Sequence, residues 1–194
     1  MKTHRFGIDF NAPFILGLTG LAFLFFLVDL LTPLNFITLF GAHRTGFGDP
    51  MQYVRLFSHV LVHADITHFA SNFMMILAIG PMVEEKYGFK PLVLISVITA
   101  FVTGLVNVLF WPGRIVVGAS GIVFMLILLA SFTNIRQGRL PITVPLVAVL
   151  YIGNEILLGL FTVDNVSRIS HIAGGICGAV FGVVFHSKKL RNLN

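Results

Sequence analysis

Gly118-Ala119-Ser120-Gly121 leads without a break into Ile122-Val123-Phe124-Met125-Leu126-Ile127-Leu128-Leu129-Ala130, an apolar run that follows the basic, proline-containing connection Trp111-Pro112-Gly113-Arg114. A serine flanked by small residues at the start of a helix has little steric cover over its hydroxyl. Its backbone can be approached closely, and the N–H groups of the first turn lack helical partners. These properties suit a nucleophile with an oxyanion site beside it. They suit a helix cap or a packing seam equally well, since Ser is a preferred N-cap and small residues let membrane helices come together. The rest of the chain has to choose between these readings.

The 194 residues are 56% hydrophobic and 11% charged, with 20 Phe and a mean hydropathy of +0.93. Soluble domains carry about 25% charged residues, so the composition is that of a membrane protein. The single cysteine, Cys177, excludes a disulfide within the chain. The first apolar run is long and is followed by more of the same, with no cleavage signal, so it is expected to remain as a span.

A helix needs about 20 apolar residues to cross the hydrocarbon core. By that measure the fold class is all-α: a polytopic bundle of six transmembrane helices over about 13–31, 66–83, 91–110, 118–132, 140–161 and 169–185, read as a single domain, 1–194. The fourth and sixth spans are short, as suits helices that begin below the surface. The one long connection, 32–65, is too long for a tight hairpin, and its Pro, Gly and aromatic residues predict a partly structured loop at the interface. Cytoplasmic connections are enriched in Lys and Arg. Alternate segments hold nine such residues (Lys2, Arg5, Lys86, Lys90, Arg136, Arg139, Lys188, Lys189, Arg191), and the other set holds four (Arg44, Arg55, Arg114, Arg168). Both termini are therefore expected in the cytoplasm, with Ser120 near the outer side.

Polar groups inside a bilayer are costly, which makes each of them a site candidate. Asp29 lies near the end of its span and is expected to reach the interface. Asn107 and Asn154 read as hydrogen bonds between helices, and Glu155 as the partner of a neighbouring helix or a loop charge. His68 and Asn72 are four residues apart and share one face of the second span. His59, His63 and His68 form a string at near-helical spacing that could suggest zinc. It lacks the Glu of H-E-x-x-H, and His59 is expected to precede the helix, so no metal is assigned. His171 opens the sixth span, and Gly174, Gly175, Gly178 and Gly182 follow it on one stripe, a seam that lets two backbones approach closely.

Together these residues make an acyl-transfer set. Ser120 is the nucleophile and His171 its general base and then acid. Asn72, His68 and the Ser120 backbone N–H bind the oxyanion. No carboxylate is placed to orient His171, so the expectation is a dyad, with Phe124, one turn beyond Ser120, packing against the imidazole.

In this order the motifs resemble the rhomboid family of intramembrane serine proteases. The matching pieces are His63-Ala64-Asp65-Ile66-Thr67-His68-Phe69-Ala70-Ser71-Asn72, then Gly80, Glu84 and Gly88, then Gly118-Ala119-Ser120-Gly121, then His171-Ile172-Ala173-Gly174 with Gly178. The resemblance runs from Arg55 to about Gly182. It implies a six-helix bundle whose short fourth helix carries the serine, with Gly118, Gly121, Gly174 and Gly178 supporting its packing against the sixth. It also implies a dyad of Ser120 and His171, oxyanion roles for Asn72 and His68, and a lateral gate and cap formed by the fifth span and 162–168. The partners implied are the lipid bilayer and transmembrane protein substrates cut near their outer ends, with no nucleic acid, metal or cofactor. The location implied is a bacterial cytoplasmic membrane. The chain departs from the family pattern at Val54-Arg55 where Trp-Arg is common, at Phe124 where Tyr is frequent, and at Ser170 where Ala is common.

Two rivals remain. Gly46-Phe47-Gly48-Asp49 mimics the G-x-G-D of intramembrane aspartyl proteases, but it lies in a polar loop, with only Asp29 as an intramembrane carboxylate partner. The other is a non-catalytic membrane chaperone or small transporter using the same polar cavity. No internal repeat favours a transporter, and a non-catalytic relative is expected to lack Ser120 or His171.

Overall fold

Long apolar runs in lipid have to satisfy their backbone internally, and helices do so within one segment. The computed structural model describes residues 10–134, 142–150, 153 and 168–191, and all of its regular elements are helical. The helices are α1 (Pro13–Leu31), α2 (Phe36–Phe40), α3 (Pro50–Ser58), α4 (Ile66–Tyr87), α5 (Phe89–Phe110), α6 (Ser120–Ser131), α7, described over 143–150 and at 153, and α8 (Arg168–Arg191). Short 3-10 turns, His59–Leu61 and Phe132–Asn134, extend α3 and α6. Among the described residues, α1, α4, α5 and the Arg168–His186 part of α8 are long and apolar enough to cross a membrane. Asn154, Glu155 and the predicted cap 162–167 lie outside the described residues.

Helix α6 is the centre of the bundle. At 12 residues it is about 18 Å long, too short to span, and its side chains from Ile122 to Leu129 are nearly all buried against α4, α5 and α8. α1 is the opposite case, burying only Ile15 and Ala22 along 19 residues. Its attachment is polar. Ala12 caps α1 without a side-chain bond, Pro13 occupies the first helical position, and the next two N–H groups are met by Glu84 from α4. Phe14 N–H donates to Glu84 Oε1 at 2.9 Å and Ile15 N–H to Oε2 at 3.0 Å. A carboxylate at a helix N-terminus satisfies orphan donors and complements the macrodipole. Gly80, one turn earlier on α4, leaves room for the Ile15 side chain, which a β-carbon there would meet at 2.5 Å.

The connection 32–65 is partly structured, carrying α2, α3 and a 3-10 turn between irregular stretches. Asp29 Oδ1 accepts the Phe36 N–H at 2.7 Å and so starts α2, where the sequence suggested only that Asp29 reaches the interface. Asp49 caps α3 by accepting the Met51 N–H, and its other oxygen pairs with Arg55 Nη1 at 2.8 Å. Arg55 Nε also donates to the Leu39 carbonyl at 3.0 Å. Thus Arg55 ties this loop together while Val54, in the place of the family's Trp, points outward and is exposed. Asn107 is a correction. Its amide donates to the carbonyls of Ala42 at 2.9 Å and Arg114 at 3.1 Å, joining two connections rather than two helices, because α5 ends beside both of them. The same connections meet in an antiparallel bridge, Ala42 with Val116.

His59 and His63 are buried in this loop, 2% exposed each. The His59 ring lies 3.1 Å from the Ala100 carbonyl through Nε2. Desolvation pulls His59 down to about 4, against the raising effect of that carbonyl. Desolvation likewise pulls His63 down to about 4, helped by the neighbouring His68 and opposed by the Leu61 carbonyl and Asp65.

Two outcomes follow from these contacts. Glu84→Leu leaves the two α1 N–H groups unmet and is expected to destabilise the protein by about 2–3 kcal/mol, read as a lower Tm in detergent; Glu84→Gln, which retains an acceptor, is expected to lose less. The folded state keeps His59 and His63 neutral where the unfolded chain binds protons. Their contribution is therefore complete above about pH 6.5 and is lost as pH falls toward about 4, a decline on the order of a few kcal/mol for the pair. Unfolding followed across that window in wild type and in a His59→Asn, His63→Asn variant checks this, since the variant's acid slope should be shallower.

Candidate active site

The turn 116–120 is held before any catalytic group is considered. Val116 is bridged to Ala42 with N–H to O distances of 2.8 and 3.0 Å, and Gly118 N–H donates to the His59 carbonyl at 2.9 Å. Ala119 N–H donates to His63 Nε2 at 3.3 Å. That acceptor role requires His63 Nε2 to be unprotonated, consistent with burial keeping the ring neutral. The ring is wedged edge-on against His68, Phe69 and Phe73. Gly118 has φ +110°, a conformation open to glycine. A β-carbon there would also lie 2.5 Å from His68 Nε2 and 3.4 Å from Asn72 Nδ2. His68 and Asn72 therefore both face the turn that precedes Ser120.

Ala119, not Ser120, is the N-cap of α6, and it makes no side-chain cap bond. Ser120 occupies the first helical position, where its hydroxyl lies 2.9 Å from His171 Nε2. Capping would compete with that contact, and the geometry favours the imidazole. Phe124, one turn along, stacks on His171 with centroids 4.6 Å apart and planes 13° from parallel. The absent tyrosine hydroxyl therefore does not affect the stacking. Ser170, beside His171, is buried.

Glycines set how close α6 and α8 can come. A β-carbon on Gly174 would run into the backbone of Gly121, one on Gly178 into the backbone of Met125, and one on Gly182 into the Phe132 ring. Gly121 itself abuts Thr103 of α5, where an added β-carbon would sit 2.8 Å from Cγ2. Gly175 is looser, facing Leu128. This backbone-to-backbone seam positions the imidazole of α8 over the hydroxyl of α6.

Two of the three first-turn donors near the serine are accounted for: Gly118 N–H is spent on His59, and Ala119 N–H on His63. The Ser120 N–H, at the start of α6, has no helical carbonyl to bond. Asn72 is 6% exposed, and its Nδ2 makes no hydrogen bond among the described residues. A buried amide donor left unsatisfied against the turn that leads into Ser120 is a feature of sites that bind developing negative charge.

The rival sites do not assemble. His59 and His63 are committed to Ala100 and Ala119, and no group of three His, Cys, Asp or Glu side chains is placed to hold a metal among the described residues. Asp49 is engaged with Met51 and Arg55, and Asp29 with Phe36, so neither is part of a carboxylate dyad. Sequence reasoning missed His63 as the acceptor that fixes Ala119. The signal available was its place one residue before the Ala64-Asp65 helix start, which puts a histidine at the mouth of α4.

A family model described as Rhomboid domain matches residues 50–188. RHOMBOID-like protein 4 of Arabidopsis thaliana is 32% identical over 135 residues, covering 67% of this chain and 33% of that protein. Rhomboid protease GlpG of Haemophilus influenzae is 26% identical over 172 residues, 80% of this chain and 88% of that protein. Rhomboid protease GluP of Bacillus subtilis is 27% identical over 165 residues, 81% of this chain and 31% of that protein. The chain spans about a third of the length of the first Arabidopsis relatives it matches. With a helical membrane bundle around a seam of α6 and α8 and a family match over most of its length, the chain belongs to the rhomboid family, a family of multi-pass membrane proteins that includes serine proteases.

Proposed function

We propose that this chain is an intramembrane serine endopeptidase that cleaves transmembrane segments of other membrane proteins with a dyad of Ser120 and His171. The observation that carries this is the 2.9 Å contact between Ser120 Oγ and His171 Nε2, held by the Phe124 stack and the glycine seam. His171 Nε2 takes the serine proton as Oγ attacks the scissile carbonyl. The tetrahedral oxyanion is bound by the Ser120 N–H and by Asn72, with His68 beside them. His171 then passes its proton to the leaving amine. An acyl-enzyme on Ser120 remains, and water assisted by the same imidazole hydrolyses it. No step uses a metal or cofactor.

The substrate follows from the location of the site. A serine at the head of a short buried helix can be reached by a chain that enters from the lipid. A stable substrate helix hides its carbonyls in i to i−4 bonds, so cleavage is expected where small or helix-weakening residues loosen it. We read 1–194 as one domain in a bacterial cytoplasmic membrane, with both termini in the cytoplasm and Ser120 toward the outer side, from the nine-to-four division of Lys and Arg.

A fluorophosphonate probe is expected to label wild type but not Ser120→Ala; equal labelling of both would end the proposal. Ser120→Ala and His171→Ala are expected to lose cleavage of a single-span substrate while keeping the wild-type Tm. Asn72→Ala is expected to lower kcat by about 10- to 1000-fold, the loss of one oxyanion donor. Chelators should leave the rate unchanged, and inhibition by them would revive the histidine string as a zinc site.

A further inference from the structure

Among the described residues at the Ser120 end of the bundle, two arginines have no carboxylate partner. Arg55 is neutralised by Asp49. Arg44 and Arg114 are exposed, and neither makes an ion pair among the described residues. The described carboxylates of that end are engaged elsewhere: Asp29 with the Phe36 N–H, Asp49 with Arg55, and Asp65 with the His68 N–H.

The backbone brings the two arginines to one edge. Ala42 and Val116 are paired antiparallel, and Arg44 lies two residues after the first while Arg114 lies two residues before the second. The bridge is a single isolated pair that joins the two connections, with each arginine two residues from it. Like charges on adjoining segments repel, so an anion arriving beside them is favoured. The connection bearing Arg114 runs directly into the turn that ends at Ser120, and Gly118 is fixed by its bond to His59. Arg114 therefore lies six residues before Ser120 on the connection that ends at it.

We infer that Arg44 and Arg114 form a rim that selects substrates carrying acidic side chains in the extramembrane segment next to the cleaved span. This rests on the protease reading for the identity of the ligand, but the charge preference can be measured without cleavage. The rim contributes to binding and stands apart from the Ser120 chemistry, so it acts on KM and leaves kcat alone. An anionic lipid headgroup is the competing occupant. A lipid would respond to membrane composition and ignore the charge on the substrate.

The test uses the full chain in phosphatidylcholine vesicles and single-span peptides that differ only in bearing three Asp, Asn or Lys residues just outside the span. Binding is measured in the Ser120→Ala background, and cleavage and fluorophosphonate labelling in the active chain. The Asp peptide is expected to bind about two- to fivefold more tightly than the Lys peptide. Arg44→Gln with Arg114→Gln should erase that difference, and Arg44→Glu with Arg114→Glu should reverse it, with labelling of Ser120 unchanged throughout. A preference that is absent in wild type, or that persists in both double variants, overturns the inference. So does an effect of the arginines that appears only with phosphatidylglycerol and is the same for all three peptides. Loss of probe labelling in wild type would count against the protease reading alone, since the binding comparison stands without it.

Discussion

The bundle depends on a contact between backbones. Where Gly174 and Gly178 of α8 lie on Gly121 and Met125 of α6, no side chain separates the two helices. Lipid tails are as apolar as leucine, so association inside a membrane relies on close packing and hydrogen bonds more than on a hydrophobic effect. Small residues give the closest packing available. The separation of Ser120 and His171 follows from this, because each is rooted within one turn of the seam. A substitution that merely adds a methyl group at Gly174 displaces a backbone, with no side chain able to absorb the change.

Around that seam the polar groups act as ties between segments that would otherwise be loosely associated. His59 and His63 fix the backbone just ahead of Ser120 from the connection 32–65, and Asn107 joins that connection to the one before α6. The loop is therefore part of the site's support. Its neutral histidines make that support sensitive to acid independently of His171.

Features that repeat along a helix could be read from sequence. The glycine stripe behind His171 and the four-residue spacing of His68 and Asn72 are periodic, and periodicity predicts a shared face. The position of Phe124 one turn beyond Ser120 was legible for the same reason. Contacts made by single polar groups across long separations were not legible. Nothing in the order of residues says that Asn107 meets the carbonyls of Ala42 and Arg114, or that His63 accepts from Ala119. Such bonds go to main-chain atoms, which carry no residue-specific mark. Arg55 was visible only as half of a pair that departs from the family pattern, and its partner Asp49 only as part of a misleading G-x-G-D. The boundaries of α4 and α8 ran past the apolar stretches because Glu84, Lys86 and Lys188 continue a helix that hydropathy alone would stop.

Glu84 also bears on the order in which the chain can assemble. α1 is made before α4, yet the acceptors for its leading N–H groups are supplied by a residue about 70 positions later. Until α4 has been synthesised, the leading N–H groups of α1 have only water or headgroups to satisfy them. The arrival of Glu84 supplies their acceptors. The carboxylate thus aligns the first turn of α1 against α4, which the sparse buried side chains of α1 could not do alone.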